Sequence, residues 1–206
     1  MKKNKIVYIF SALILFISAC RLFSSNGVGS SKDKASTYTH VVDSELSEVH
    51  WKGSKKSGSH KGEVAIKRGK LGIDKGKVID GYFEIDMLSI SVNEELENDY
   101  ASKLVGHLSS ADFFEIEKYT LSTLKLMSAT KDSISAILTI RGIPKLVTFP
   151  YAMELNGKTA NVKSSFAIDR TDWGINYNSP SKFQDLGEYA IDDEILFELK
   201  LTAKSH

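Results

Sequence analysis

The stretch Gly81-Tyr82-Phe83-Glu84-Ile85-Asp86-Met87-Leu88 decides the fold of this chain. Phe83, Ile85 and Met87 fall on one face and Glu84 and Asp86 on the other, the period of two that marks a half-buried strand. The same alternation recurs downstream. Leu124 and Leu126 share a face in residues 120–127. Ile134, Ala136, Leu138 and Ile140 alternate with Ser133, Ser135, Ile137 and Thr139, and Val147, Phe149 and Tyr151 make the next strand. Ala160, Val162, Ser164, Phe166 and Ile168 form another, and Ile195, Phe197, Leu199 and Leu201 the last. Upstream, Val64 and Ile66 share a face, and Asp74-Lys75-Gly76-Lys77 reads as a hairpin turn. Val41, Val49 and Trp51 mark one or two short opening strands, and residues 53–62 read as a polar, glycine-punctuated turn.

One segment breaks the pattern. Leu96, Tyr100 and Leu104 recur at i, i+4 and i+8, which predicts a helix over 93–105 with Asn93 as N-cap, Glu94 and Glu95 in the first turn and Gly106 just past the end. His107-Leu108-Ser109-Ser110-Ala111-Asp112-Phe113-Phe114, continuing to Tyr119, then fits neither period. Its Ser and Asp oxygens suit the capping of a single helical turn, and the two phenylalanines give that turn an apolar tip, as in a plug closing something hollow. A long connection over 169–189 carries Trp173, Tyr177 and Phe183 among Asp, Asn, Ser and Gly. About eight strands with one short helix predict an all-β, antiparallel barrel or sandwich. An eight-stranded barrel is just wide enough to hold one small ligand.

The totals are those of a globular chain. At 206 residues and 42% hydrophobic content it can bury a core without metal or disulfide staples. Basic and acidic residues nearly balance, 27 against 26, which leaves no electrostatic footprint for nucleic acid. The single cysteine, Cys20, excludes an intramolecular disulfide and any CxxC site.

The N-terminus reads as an address. Lys2, Lys3 and Lys5 precede an apolar run over 6–17 that is too short to span a bilayer as a helix, followed by Ser18-Ala19-Cys20. Ile17-Ser18-Ala19-Cys20 resembles the lipobox of bacterial lipoproteins, whose cysteine becomes the lipidated first residue. Residues 1–19 are then a signal peptide, and 20–37, rich in Ser and Gly, a flexible tether. The domain covers 38–206. Residues 1–19 hold three lysines and no acid, so the mature chain carries 24 basic and 26 acidic residues, a net of −2. Acyl chains on Cys20 would anchor the protein to a membrane. Arg21 in place of Asp after the cysteine favours the outer membrane and periplasm within a bacterial cell envelope.

Three ordered blocks resemble the YceI-like family: His107 to Phe114 with Glu117-Lys118-Tyr119; Leu138-Thr139-Ile140-Arg141-Gly142-Ile143-Pro144-Lys145; and Phe166-Ala167-Ile168-Asp169-Arg170-Thr171-Asp172-Trp173-Gly174. The closing strand from Asp193 to Ala203 is also similar, and the resemblance spans about 39–203. The chain departs from it at Arg141, where many members carry His. The resemblance implies a lipocalin-like barrel whose apolar tunnel binds an isoprenoid or other amphiphilic lipid as carrier, store or sensor. It implies no catalysis, cofactor or metal.

Expected tunnel residues are Trp51, Val64, Ile66, Phe83, Ile85, Met87, Leu104, His107, Leu108, Phe113, Phe114, Leu138, Ile140, Phe149, Phe166 and Phe197. Candidates for its polar mouth are His107, Ser109, Asp112, Arg141 and Arg170. Other readings stay open: a lipid-directed enzyme using His107 and Asp112, a metal-dependent one assembled from His50, His60 and His107, and a filled barrel serving as a structural or partner-binding module.

Overall fold

The computed structural model describes residues 38–93 and 99–205; the leader, Cys20, the tether and Leu96 lie outside them. Ten strands form one antiparallel sheet: β1 His40–Val42, β2 Glu48–Lys55, β3 Gly58–Asp74, β4 Lys77–Val92, β5 Leu121–Ala129, β6 Ser133–Ile140, β7 Ile143–Pro150, β8 Ala152–Asn156, β9 Thr159–Asp169 and β10 Ile191–Ser205. These ten segments fill eight positions around a ring. Strands β1 and β2 share the place between β3 and β10, because each pairs with both. Strand β7 pairs with β6, and β8, after a bend at Tyr151, pairs with β9. The bend is held by Tyr151 N–H donating to the Asp132 carbonyl at 2.9 Å and Tyr151 O–H donating to the Thr130 carbonyl at 3.0 Å. The fold is a lipocalin-like antiparallel β-barrel with one short α-helix among the described residues.

Closure needs strongly twisted strands, and bulges supply the twist. In β3 the buried positions run Gly62, Val64, Ile66 and then Gly69, Leu71, Ile73, a change of parity that falls at the register shift between Ile66 and Arg68. In β4 the inward set passes from Phe83, Ile85 and Met87 to Ile90, and Ser89, at the change, donates to the Asp86 carbonyl at 2.6 Å. The hairpin turns fit their residues. Lys75 and Gly76, and Arg141 and Gly142, all have positive φ, as two-residue connections between twisted strands require.

Residues 53–62 differ from the expectation of a loop. Gly53–Lys55 ends β2 and Gly58–Gly62 opens β3, paired through Gly53↔His60 and Ser54↔Ser59. What makes this polar hairpin a strand pair is Trp51, which covers its glycine partner: a Cβ on Gly62 would collide with the Trp51 ring and the Ser91 carbonyl. The helix, α1 Tyr100–Ser109, also departs from expectation, running through Gly106 and ending in its own serines. Ser109 and Ser110 hydroxyls donate back to the Val105 and His107 carbonyls at 2.7 and 2.8 Å, which ends the helix without a glycine cap.

On the outer face Glu84 is buried by its neighbours. Arg68 Nε and Nη2 each donate to it at 2.7 Å, and Tyr82 O–H donates at 3.1 Å. The Arg68 hydrogen bonds hold the Glu84 carboxyl below the ordinary glutamate value of 4.5, against the opposing effect of burial. This contribution to stability is complete above about pH 4.5, the unfolded value, and is lost as the pH falls through the lower folded one. Urea midpoints measured against pH should therefore decline below that point in the wild type, with a shallower decline in Glu84→Gln.

Candidate lipid-binding cavity

Side chains from the inner faces of the strands divide into two clusters. One, with Leu71, Ile73, Val78, Leu126, Ala136, Ala160, Val162 and Ala203, packs the barrel at the end carrying the 74–77 hairpin. The other gathers Trp51, Met87, Leu108, Phe113, Phe114, Trp173, Ile175 and Ile195. A cavity of about 170 Å³ is lined by residues of both clusters. An apolar void of about 150 Å³ stays dry and accepts apolar guests, so this one suits hydrocarbon. Three rings form a ladder along the wall, with Phe149 and Phe166 centroids 4.5 Å apart at 17° and Phe166 and Phe197 5.6 Å apart at 29°.

The structure brings Trp51, Val64, Ile66, Phe83, Ile85, Met87, Leu108, Phe113, Phe114, Leu138, Ile140, Phe149, Phe166 and Phe197 to this wall. Leu104 and His107 are not on it. Leu104 is half-buried against the outside of the second cluster, one helical turn before Leu108, which does reach in. His107 is held edge-on between Tyr177, 4.6 Å away, and Phe113, 5.0 Å away, so Phe113 stands between it and the cavity. Val49, Ile90, Ser122, Leu124, Ile195 and Leu199 also line it, with Gly53, Ile191, Asp192 and Leu201 beside them. Leu124, Ile195 and Leu199 lie on the same alternating faces as predicted residues. Ile90 follows the parity change in β4, and Ser122 is a polar residue at an inward position.

Of the expected mouth residues, Arg170 alone lines the cavity. It opens a 3₁₀ turn, Arg170–Trp173, whose N-cap Asp169 accepts from Thr171 N–H at 2.8 Å. The guanidinium has no exposure to solvent. Its Nε, Nη1 and Nη2 donate to the carbonyls of Asp192, Ile175 and Ile191 at 3.0, 2.8 and 2.8 Å. Asp193 Oδ1 stands 3.4 Å from Nη2, and the Phe113 ring lies 5.8 Å from the guanidinium carbon. Burial lowers the Arg170 pKa while the charges of Asp193, Asp169 and Asp192 oppose it; a guanidinium stays charged through such a shift. Burial pushes the Asp193 carboxyl up, but the Ser179 and Ser181 side chains and the Arg170 charge outweigh it and hold the group below the usual carboxylate range.

The other polar candidates are braces. Arg141 donates to the Gly174 carbonyl at 3.1 Å and to Glu115 at 3.3 Å, tying the β6–β7 turn to the segment after α1. Ser109 ends α1, and Asp112 is exposed in the turn beyond it. His50 meets Glu48 and Glu63, and the His60 ring stands 5.6 Å from that of Tyr100. Among the described residues no three His, Cys, Asp or Glu side chains converge to hold a metal ion.

Comparison with known proteins agrees with this architecture. The model of the YceI-like domain matches residues 40–203. The chain belongs to the YceI-like family. Two UPF0312 proteins of Staphylococcus aureus, SA2479 and SAV2687, are each 33% identical over 82 residues, which make up 35% of this chain and 47% of theirs. The chain thus spans about half the length of the curated relatives it matches. The fold is shared with BcnA of Burkholderia cenocepacia, at 19% identity and TM-score 0.61 over 78% of this chain and 98% of that one. It is also shared with a polyisoprenoid binding domain from Saccharophagus degradans implicated in plant cell wall breakdown, at 15% identity and TM-score 0.62 over 82% and 99%. A Campylobacter jejuni YCEI protein aligns at 19% identity and TM-score 0.52 over 68% and 83%.

Removing the Arg170 side chain leaves three buried carbonyls without donors and Asp193 without its counter-charge. Arg170→Met should cost about 3–5 kcal/mol in urea denaturation, part of it recovered by adding Asp193→Asn.

Proposed function

We propose that this barrel binds a long apolar lipid, of the polyisoprenoid class, in its interior. The observation that carries the reading is the cavity wall, built by fourteen of the sixteen side chains expected for a tunnel and apolar almost throughout. Membership of the YceI-like family and the likeness to a domain named for polyisoprenoid binding support it. Binding is driven by desolvation, about 25 cal/mol for each Å² of apolar surface removed from water. The protein serves as carrier, store or sensor; that His107 and Asp112, the pair a head-group enzyme would use, do not line the cavity supports this reading over an enzyme. Organic extraction and mass spectrometry of protein purified without detergent should release a prenyl lipid, and added polyprenyl compounds should raise the melting temperature. Absence of both leaves the filled-barrel reading in its place.

We further propose that the protein is a lipoprotein of a bacterial cell envelope, anchored through acyl chains on Cys20, with the barrel on the periplasmic side of the outer membrane. The lipobox-like Ile17-Ser18-Ala19-Cys20 after a basic, apolar leader supports this. Two or more chains suffice for stable anchoring. Metabolic labelling with a palmitate analogue should mark the wild type and not Cys20→Ser, and the variant should leave the membrane fraction. Equal labelling of both would exclude the anchor.

A further inference from the structure

We infer that the site selects its lipid by the apolar chain alone, and that the head group of the bound molecule stays outside the barrel. This rests on the proposed lipid-binding function and adds a rule for which lipids it accepts. The ground for it is that the wall is almost wholly apolar and the charge of its one cation is already neutralised.

Among the described residues Arg170 is the only cationic side chain on the wall, and three of its five N–H groups donate to main-chain carbonyls at 2.8–3.0 Å. Asp193 at 3.4 Å neutralises it. A phosphate or carboxylate would therefore find no net charge to draw it inward. Trp51 also lines the cavity, and its Nε1–H is buried without a hydrogen-bond partner. Among the inward side chains one hydroxyl remains, that of Ser122, itself 5% exposed. A polar head drawn inside would lose its water and regain at most a neutral hydrogen bond or two, from Ser122 and Trp51, an unfavourable exchange. Left outside, it loses nothing, and the chain gains the whole of its desolvation.

The test is displacement of a bound fluorescent apolar probe, N-phenyl-1-naphthylamine, by geranylgeraniol, geranylgeranyl phosphate and the parent hydrocarbon, which share one chain. Their inhibition constants should agree to within about ten-fold, the upper range by which one neutral hydrogen bond alters affinity. A wider spread in favour of the alcohol or the phosphate would overturn the inference. Ser122→Val should tighten all three alike, and selective weakening of the alcohol would show that this hydroxyl reads a head group. A geranylgeranyl chain bearing a nitroxide head should stay open to a water-soluble chromium complex when bound; a shielded nitroxide would place the head inside. Displacement by none of the three would instead remove the lipid-binding function itself.

Discussion

A charge without access to water governs one end of this barrel. Burying a guanidinium is costly unless its donors find acceptors and its charge finds a partner. Arg170 meets that demand by drawing in the loop carbonyl of Ile175 and the carbonyls of Ile191 and Asp192 at the start of β10. The interaction thereby ties the 3₁₀ turn to the loop at Ile175 and to the start of β10. With them come Trp173, whose Nε1 donates to the Leu138 carbonyl at 3.3 Å, and Phe113, which lies over the guanidinium. The Asp169-Arg170-Thr171-Asp172-Trp173 block and the His107–Phe114 segment, far apart in sequence, are two halves of this one arrangement.

The strands answer to a different constraint, ring closure. Ten segments occupy eight positions because two of those positions are each covered by a pair of shorter pieces. The β7–β8 junction at Tyr151 lets a single run of chain pair with β6 along one half and with β9 along the other. The parity changes in β3 and β4 serve the same end, keeping apolar side chains inward as the strands coil.

Much of this was legible in the residues. Where a strand holds one parity throughout, as over 133–140, polar and apolar side chains sort cleanly and the buried face can be read directly. Alternation loses its meaning at a bulge, so Ile90 escaped notice although Met87, on the same strand, did not. The 53–62 hairpin looked like a loop because its glycines, serines and lysines carry no inward apolar set. The side chain that orders it, Trp51, comes from the pairing partner of Gly62. Leu104 and His107 followed a helical stripe and a motif correctly to this end of the barrel, yet neither periodicity nor motif tells which of several adjacent apolar groups faces the hollow. Ring packing does: Phe113 takes that place in front of His107. The use of Arg170 as a sealed brace depended on carbonyls whose positions no pattern of side chains encodes.

That the interior has a tightly packed end beside a hollow has an evolutionary consequence. The tight end, where Ala136, Ala160 and Ala203 have no exposure at all, leaves no room for change, since added methylenes there force strain. Around the hollow, a larger or smaller side chain alters the shape of empty space before it disturbs a neighbour. Folding and guest preference are therefore written in largely different positions. A lineage can drift toward a thicker, thinner or more branched guest by substitutions along the ladder of Phe149, Phe166 and Phe197 while its scaffold stays intact.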